Sequence, residues 1–247
     1  PVPDRVKAWC QRHRKWLVAG GRAVITEPRP PSLRDRFLQR FGVSLAGDSG
    51  SERFFNTAYV VSPQGEVVFS QAKSVPIQFF KDGEPAPGQQ VWDSPWGRVG
   101  IAICYDASYR RVMDELVRQG AEVLLIPTMD VETWGAYEHG LNARMARVRS
   151  LEYGMPLFRV ASSGISQLID ARGVERASAP VPGPGELIAG RLEVRQGPSG
   201  VPWDGCLAPA CSVVCGGLAV FLAVPPGRRR RDVGAATPGT PTRPPAS

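Results

Sequence analysis

The 247-residue chain is long enough to bury one sizeable core, and its 43% hydrophobic and 21% charged residues are typical of a globular protein. The net charge of +7 includes four arginines at residues 228–231, and the other cations are scattered among acids, which argues against nucleic-acid binding. Five irregularly spaced cysteines and only two histidines, His13 and His139, give no disulfide framework, C-x-x-C zinc pattern or His-rich metal site, so Glu or Lys must activate any nucleophile.

The first part of the chain alternates predicted helices and short strands. Apolar residues at helical spacing, and β-branched runs bounded by Gly or Pro, predict these elements. The helices are predicted over residues 4–16 and 33–41, and the strands over 22–26 and 42–47. Gly20 and Gly21 are expected to stop the first helix, and Glu27 follows the first strand. Open α/β sheets place their chemistry at such carboxyl edges, so Glu27 is a candidate site residue.

A hairpin is predicted next, with strands over residues 57–61 and 66–69 joined by a turn that contains Pro63 and Gly65. Lys73 lies just beyond its second strand. Residues 79–96 are rich in Gly, Pro and charge, which favours a loop around a site.

Cys104 ends an apolar strand predicted over residues 98–104, and a helix predicted over 108–119 follows it. This order is typical of a nucleophile elbow. The remaining predictions are a strand over 122–126, a helix over 138–153, and a hairpin over 157–161 and 166–169 with its turn at 170–173. Interleaved helices and strands favour a layered α/β sheet protein.

The thiol of Cys104 has two interpretations. Free cysteines are usually buried structural residues, so a structural role is the ordinary expectation. At a strand end before a helix, however, nearby N–H groups would lower the pKa of the thiol and bind an oxyanion. Glu27 could take its proton and Lys73 could stabilise a tetrahedral intermediate, although each also fits a plain surface charge.

The chain resembles the carbon-nitrogen hydrolase (nitrilase) superfamily over residues 6–194. The matching motifs run in the family's order, at residues 23–27, 55–58, 63–65, Lys73, 100–106, 120–121 and Pro127. The resemblance implies an αββα sandwich in which Glu27 is the general base, Lys73 the oxyanion stabiliser and Cys104 the nucleophile. It implies attack on an amide, nitrile or ester carbon of a small-molecule amide or acyl donor, through a thioester. It implies no metal and no cofactor, and homo-oligomers are common in the family.

The second half is most similar to the apolipoprotein N-acyltransferase branch, which transfers a fatty acyl chain from phospholipid to a lipoprotein amino terminus. The resemblance makes Tyr105, Asp106, Trp134, His139 and Ser163 supporting residues, although Trp134 alone could equally be a core residue. A hydrolase is the superfamily-level prediction, and acyl transfer with phospholipid and lipoprotein partners is the specific alternative.

Two departures from the family pattern motivate a third interpretation, an inactive scaffold. The family has a glutamate soon after the lysine, whereas here the nearest carboxylates are Asp82 and Glu84, of which Glu84 is the expected substitute. We also expect the sheet to lack the family's first core strand, which precedes the first helix. Losing a central strand would expose a sheet edge.

The C-terminal part contains an uncharged stretch at residues 206–226, about the length of a bilayer span, directly before the arginine run. If it spans, the arginines predict a cytoplasmic tail and an extracytoplasmic catalytic domain. Its Gly, Pro, Ala and Ser content also fits a buried or interfacial segment, and the protein would then be cytoplasmic. The predicted divisions are a catalytic domain at 1–194, a linker and candidate span at 195–227, and a basic disordered tail at 228–247.

Overall fold

The computed structural model describes residues 2–27, 40, 53–179, 181, 186–194 and 203–223. The helix predicted over 33–41 (residue 40 apart), the strand predicted over 42–47 and the predicted basic tail lie outside the described residues. The chain divides into two units, Pro1–Val201 and Pro202–Ser247.

The first helix, α1 (Asp4–His13), is shorter than predicted, and the first strand, β1 (Leu17–Val24), begins earlier. The helix ends where Arg14 adopts a left-handed conformation with φ 50°. Gly20 and Gly21 were expected to stop the helix, but they lie inside β1. Their backbone is held there by antiparallel pairing with β2 (Phe54–Val61), and this pairing outweighs the weak strand propensity of glycine.

Strands β1, β2 and β3 (Val67–Ala72) form a three-stranded antiparallel sheet in that order. The predicted hairpin is confirmed in β2 and β3. Its turn is fixed by the Ser62 hydroxyl, which accepts the backbone N–H groups of Gln64 and Glu66. The outer face of β1 and β2 is covered by α1, because Val2, Cys10 and Val61 share one buried cluster.

A six-stranded sheet has the order β4 (Val91–Ser94), β5 (Gly97–Ile101), β6 (Val123–Thr128), β7 (Leu157–Ala161), β8 (Ser166–Ile169) and β9 (Glu175–Ala179). Strands β5, β6 and β7 are parallel, and the others pair antiparallel to their neighbours.

Two predictions about this sheet are wrong. Residues 79–96 were predicted as loop, but they contain β4, which buries Trp92 in the core. The turn at 170–173 joins β8 to β9 rather than β7 to β8. Asp170 accepts the backbone N–H groups of Arg172 and Val174 and so closes that later turn.

The layers are helix, sheet, sheet, helix. The inner faces of the two sheets meet in one cluster, where Ala58 and Val60 of β2 pack with Val99 and Ile101 of β5. The other face of the larger sheet is covered by α2 (Arg110–Arg118) and α3 (Gly135–Tyr153). This arrangement is the predicted αββα sandwich, and it brings the ends of β3, β5 and β6 to one edge.

The second unit contains a short 3-10 helix, Trp203–Cys206, and the helix α4 (Leu207–Ala223). Among the helices of the described residues, none is both long and apolar enough to cross a bilayer. The candidate span at 206–226 therefore stays a prediction.

Candidate active site

Cys104 lies at the point where β5 gives way to a 3-10 helix, Cys104–Ser108, which leads into α2. Its backbone is in the left-handed region, with φ 51°. The half-buried thiol lies 3.9 Å from the carbonyl oxygen of Met129, just after β6. Burial raises the pKa of this thiol, and although the charge of Lys73 opposes that rise, it does not cancel it. The residue is positioned as an elbow, but it needs help to ionise.

Lys73 follows β3 and is almost completely buried, with 1% of its surface exposed. Its Nζ lies 2.5 Å from Oδ2 of Asp82, which also accepts the backbone N–H of Ile77 at 2.9 Å. The other oxygen of Asp82 accepts Nδ2 of Asn56 at 2.7 Å. Burial alone would raise the pKa of Asp82, but these hydrogen bonds and the lysine charge outweigh it, so the pKa lies below its ordinary value. Asp82 is therefore ionised and holds the ammonium in place.

Asp106 joins the lysine segment to the cysteine segment. Its fully buried carboxylate accepts the backbone N–H groups of Ser74 at 3.1 Å and Val75 at 2.7 Å, directly after Lys73. The same carboxylate accepts the N–H of Ile103 at 3.1 Å, directly before Cys104. Its pKa is raised because burial disfavours the charge more than the three donors stabilise it. Asp106 thus links the two segments, and its supporting role stays a prediction.

Two cavities meet at Cys104. The first, of about 680 Å³, contains Lys73, Lys81, Asp82 and Cys104 on an otherwise largely apolar lining. Its apolar residues include Leu17, Val18, Ile103, Leu125, Val131 and Phe158. The second, of about 400 Å³, also contains Tyr105, Asp130, Glu138 and Arg159. Both are lined by Ile77, Phe80, Cys104, Ile126, Thr128 and Trp134. An acyl group on the sulfur could therefore be approached from two sides.

Arg53 connects Glu27 and Glu84, the two predicted acids that do not contact Lys73 or Cys104. Its Nη1 donates to the backbone carbonyl of Glu27 at 3.2 Å, and its Nε donates to the Glu84 carboxylate at 3.2 Å. Glu84 was expected to substitute for the family glutamate, but the carboxylate that contacts Lys73 is that of Asp82. The Glu27 side chain is exposed and lines neither cavity, so the structure does not bring it together with Lys73 and Cys104.

The other predicted supporting residues differ in how near they lie to the sulfur. Trp134 lines both cavities, and Tyr105 lines the second, where its ring packs edge-on against Tyr109. His139 is buried behind the site on α3, lines neither cavity, and has no hydrogen-bond partner for either ring nitrogen among the described residues. Ser163 is half-buried in the β7–β8 connection and lines neither cavity, whereas its neighbour Ser162 lines the first.

Asp130 lines the second cavity, and it is not among the residues predicted from the sequence. Its buried carboxylate accepts Nη2 of Arg159 at 2.5 Å and Nδ2 of Asn142 at 3.2 Å, and it lies 3.8 Å from Nδ1 of His139. The backbone of Gly164 approaches so closely that a Cβ there would lie 1.9 Å from Oδ2. Its position just after β6 is the signal that could have found it, because Glu27 and Cys104 were selected by that same rule.

A family model for carbon-nitrogen hydrolases matches residues 8–181, which include Lys73, Asp82, Cys104 and Asp130. The chain belongs to the carbon-nitrogen hydrolase family.

Two curated relatives are apolipoprotein N-acyltransferases. The protein from Geobacter metallireducens is 27% identical over 151 residues, covering 52% of this chain and 28% of the relative. The protein from Brucella melitensis is 30% identical over 172 residues, covering 55% of this chain and 31% of the relative. Over these matches the chain spans less than a third of the length of either relative.

Solved structures show the same fold. A carbon-nitrogen hydrolase from Helicobacter pylori has a TM-score of 0.52 at 18% identity, covering 71% of this chain and 61% of that chain. An amidase from a Nesterenkonia species has a TM-score of 0.54 at 16% identity, covering 72% of this chain and 62% of that chain. These neighbours support the mixed α/β, nitrilase-like architecture.

Proposed function

We propose that this member of the carbon-nitrogen hydrolase family takes an apolar acyl group from an amide or ester donor onto Cys104 as a thioester. The observation that carries the proposal is the first cavity, in which Lys73, Asp82 and Cys104 are the reactive groups on a largely apolar lining. Its volume of about 680 Å³ falls in the range of small-molecule sites. An apolar acyl chain fits this lining better than a polar one.

In the proposed reaction, the sulfur attacks the carbonyl carbon and the negative charge gathers on the carbonyl oxygen. The ammonium of Lys73 stabilises that oxygen, and Asp82 keeps the ammonium buried and oriented. Asp82 is itself a poor base, because both of its oxygens accept hydrogen bonds and its pKa is lowered.

The proton of the thiol is assigned to Glu27, the base that the family resemblance implies. Arg53 links the backbone of Glu27 to Glu84, which lies two residues beyond Asp82 in the chain. The assignment requires the exposed Glu27 side chain to turn into the first cavity when the donor binds. Replacement of Glu27 by Gln tests it directly.

Two candidate functions differ in the molecule that attacks the thioester, which is an amine in one and water in the other. Transfer to an amine is favoured by the second cavity, which gives an acceptor its own access to Cys104, and by the relatives named as apolipoprotein N-acyltransferases. In that form the donor would be a phospholipid, the acceptor a lipoprotein amino terminus, and the protein membrane-associated. Hydrolysis by water is the second candidate, which the family name alone supports. An inactive scaffold, the third, predicts an inert Cys104.

The test is mass spectrometry of the intact protein after brief exposure to a p-nitrophenyl ester of a medium-length fatty acid. Cys206, Cys211 and Cys215 are exposed and would react without specificity, so all three are first replaced by Ser. In this background we expect one acyl adduct on Cys104, which C104A abolishes and E27Q slows.

The buried Cys10 provides the matched control, and C10A should leave the adduct unchanged. Folded protein that forms no adduct would exclude the thioester reaction and favour the scaffold. An adduct that forms at the same rate in E27Q would exclude Glu27 as the base while leaving the thioester intact.

A further inference from the structure

The two cavities that meet at Cys104 differ in charge. In the first, Lys73 and Lys81 accompany one carboxylate, that of Asp82. In the second, Asp130 and Glu138 accompany one cation, that of Arg159. Each cavity thus carries one unbalanced charge, positive in the first and negative in the second. A cation would be drawn to the second side of the sulfur.

The unbalanced negative charge of the second cavity is that of Glu138. Arg159 is committed to the buried Asp130, which also accepts a hydrogen bond from Asn142. Glu138 lies in the first turn of α3, is exposed, and has no ion-pair or hydrogen-bond partner among the described residues. Its carboxylate is therefore available to a ligand that enters this cavity, whereas that of Asp130 is not.

We infer that the second cavity is the acceptor subsite and that Glu138 binds the acceptor there as a cationic primary amine. This inference rests on the proposed thioester on Cys104. Tyr105 and Trp134 supply aromatic faces in the same cavity, and aromatic rings with a carboxylate form a favourable environment for an ammonium group. Glu138 is in this scheme a specificity-determining residue rather than the nucleophile or its base.

The transfer step balances without any further reactant. The bound ammonium passes one proton to solvent by way of Glu138, and the free amine attacks the thioester carbon. The new C–N bond forms, the C–S bond breaks, and the sulfur leaves as a thiolate. The remaining ammonium proton passes from nitrogen to Sγ, which restores the thiol. One amide, one thiol and one released proton result.

The experiment starts from the acyl-enzyme prepared with the p-nitrophenyl ester and measures its consumption by two small nucleophiles at pH 7. Glycinamide is largely protonated at this pH and hydroxylamine is uncharged. In E138Q we expect the concentration of glycinamide needed for half-maximal transfer to rise about tenfold, which corresponds to one lost charge-assisted hydrogen bond. The response to hydroxylamine should not change. E138K should raise the glycinamide concentration needed for half-maximal transfer further.

Glu132 supplies the matched control, because it is an exposed acid on the preceding turn that lines neither cavity. E132Q should behave like the parent protein. Equal responses of E138Q and the parent to glycinamide would overturn the inference, as would an E132Q effect as large as that of E138Q. In both cases the acyl-enzyme and the proposed function would stand. Failure to form any acyl-enzyme would instead overturn the proposed function.

Discussion

The carboxylate of Asp106 accepts the backbone N–H of Ser74 at 3.1 Å. Because Asp106 lies two positions after Cys104 and Ser74 directly follows Lys73, this hydrogen bond connects the cysteine segment to the lysine segment. Replacing Asp106 with Asn turns one acceptor into a donor that faces backbone N–H groups. We expect the free energy of unfolding to fall by about 2 kcal/mol. Acylation of Cys104 should also slow about tenfold, because a displaced Lys73 ammonium would stabilise the transition state less, by about 1.4 kcal/mol.

The control for this prediction is Asp170→Asn, because Asp170 also accepts two backbone N–H groups, but in the β8–β9 turn, where it also pairs with Arg176 and lines neither cavity. It should cost less than about 1 kcal/mol and leave acylation unchanged, as expected for an exposed hydrogen bond. Chemical denaturation and adduct formation measured on both variants check this. Equal losses in the two variants would contradict a special role for Asp106.

Lys73→Met should make the Cys104 thiol harder to ionise. The pKa of Cys104 is raised by burial, and the Lys73 charge is what partly opposes that rise. Removing the charge should therefore move the midpoint of alkylation by iodoacetamide to higher pH, in protein that lacks the three exposed cysteines. Lys81→Met is the comparison, since Lys81 lines the same cavity but is not among the groups that shift the pKa of Cys104. A midpoint unchanged in Lys73→Met would show that the two charges do not interact.

Asp82 should contribute an acid-sensitive part of the stability. Its pKa is lowered in the folded protein, so its stabilising effect is fully present above the ordinary pKa of an aspartate, about 3.9, and is lost as the pH falls through the lower folded value. Asp82→Asn should be less stable than the parent at neutral pH, and the difference should shrink below about pH 4. Thermal unfolding across pH measures this. Asp93→Asn, which breaks an exposed ion pair, is the control and should lose less stability at neutral pH.

Gly164→Ala and Gly140→Ala should have opposite effects. A Cβ at Gly164 would collide with Asp130, which cannot move because Arg159 and Asn142 hold it, so we expect a loss of about 2 kcal/mol. A Cβ at Gly140 meets nothing within 4 Å on helix α3, so this variant should gain up to about 1 kcal/mol from helix propensity. The denaturant midpoints of the two variants measure both effects. An unchanged midpoint in Gly164→Ala would mean that Asp130 is not rigidly held.

Ala161→Phe should shorten the acyl chains that the enzyme accepts. Ala161 lines the first cavity, and a phenyl ring there would occupy part of its volume of about 680 Å³. We expect kcat/KM for a twelve-carbon p-nitrophenyl ester to fall about tenfold or more relative to the four-carbon ester, since each excluded methylene is worth roughly 0.8 kcal/mol. Ala136→Phe, on an exposed helix position outside both cavities, should leave the ratio unchanged. An unchanged ratio in Ala161→Phe would place the acyl chain elsewhere.

The sequence predicted the elements whose signals are local. Regular alternation and a turn sequence predicted the β2–β3 hairpin, and an apolar strand before a helix located Cys104. The assignment of Glu84 depended instead on how a loop folds. Arg53, distant in sequence, binds Glu84, and the turn at Ile77 brings Asp82 onto Lys73, so neither contact could be deduced from spacing. The helix stop predicted at Gly20 and Gly21 was wrong for the opposite reason. These glycines are a local signal for the end of a helix, but pairing with β2 places them inside a strand.

The left-handed backbone of Cys104, with φ 51°, determines which residues this position tolerates best. A side chain in that region is disfavoured by about 1 kcal/mol or more, and glycine is not. Exchange of this cysteine for glycine would therefore relieve the local strain, but it would also remove a side chain that packs against the cluster between the two sheets. Backbone strain alone therefore favours glycine at position 104, and the proposed acylation of the sulfur is what would retain a cysteine there.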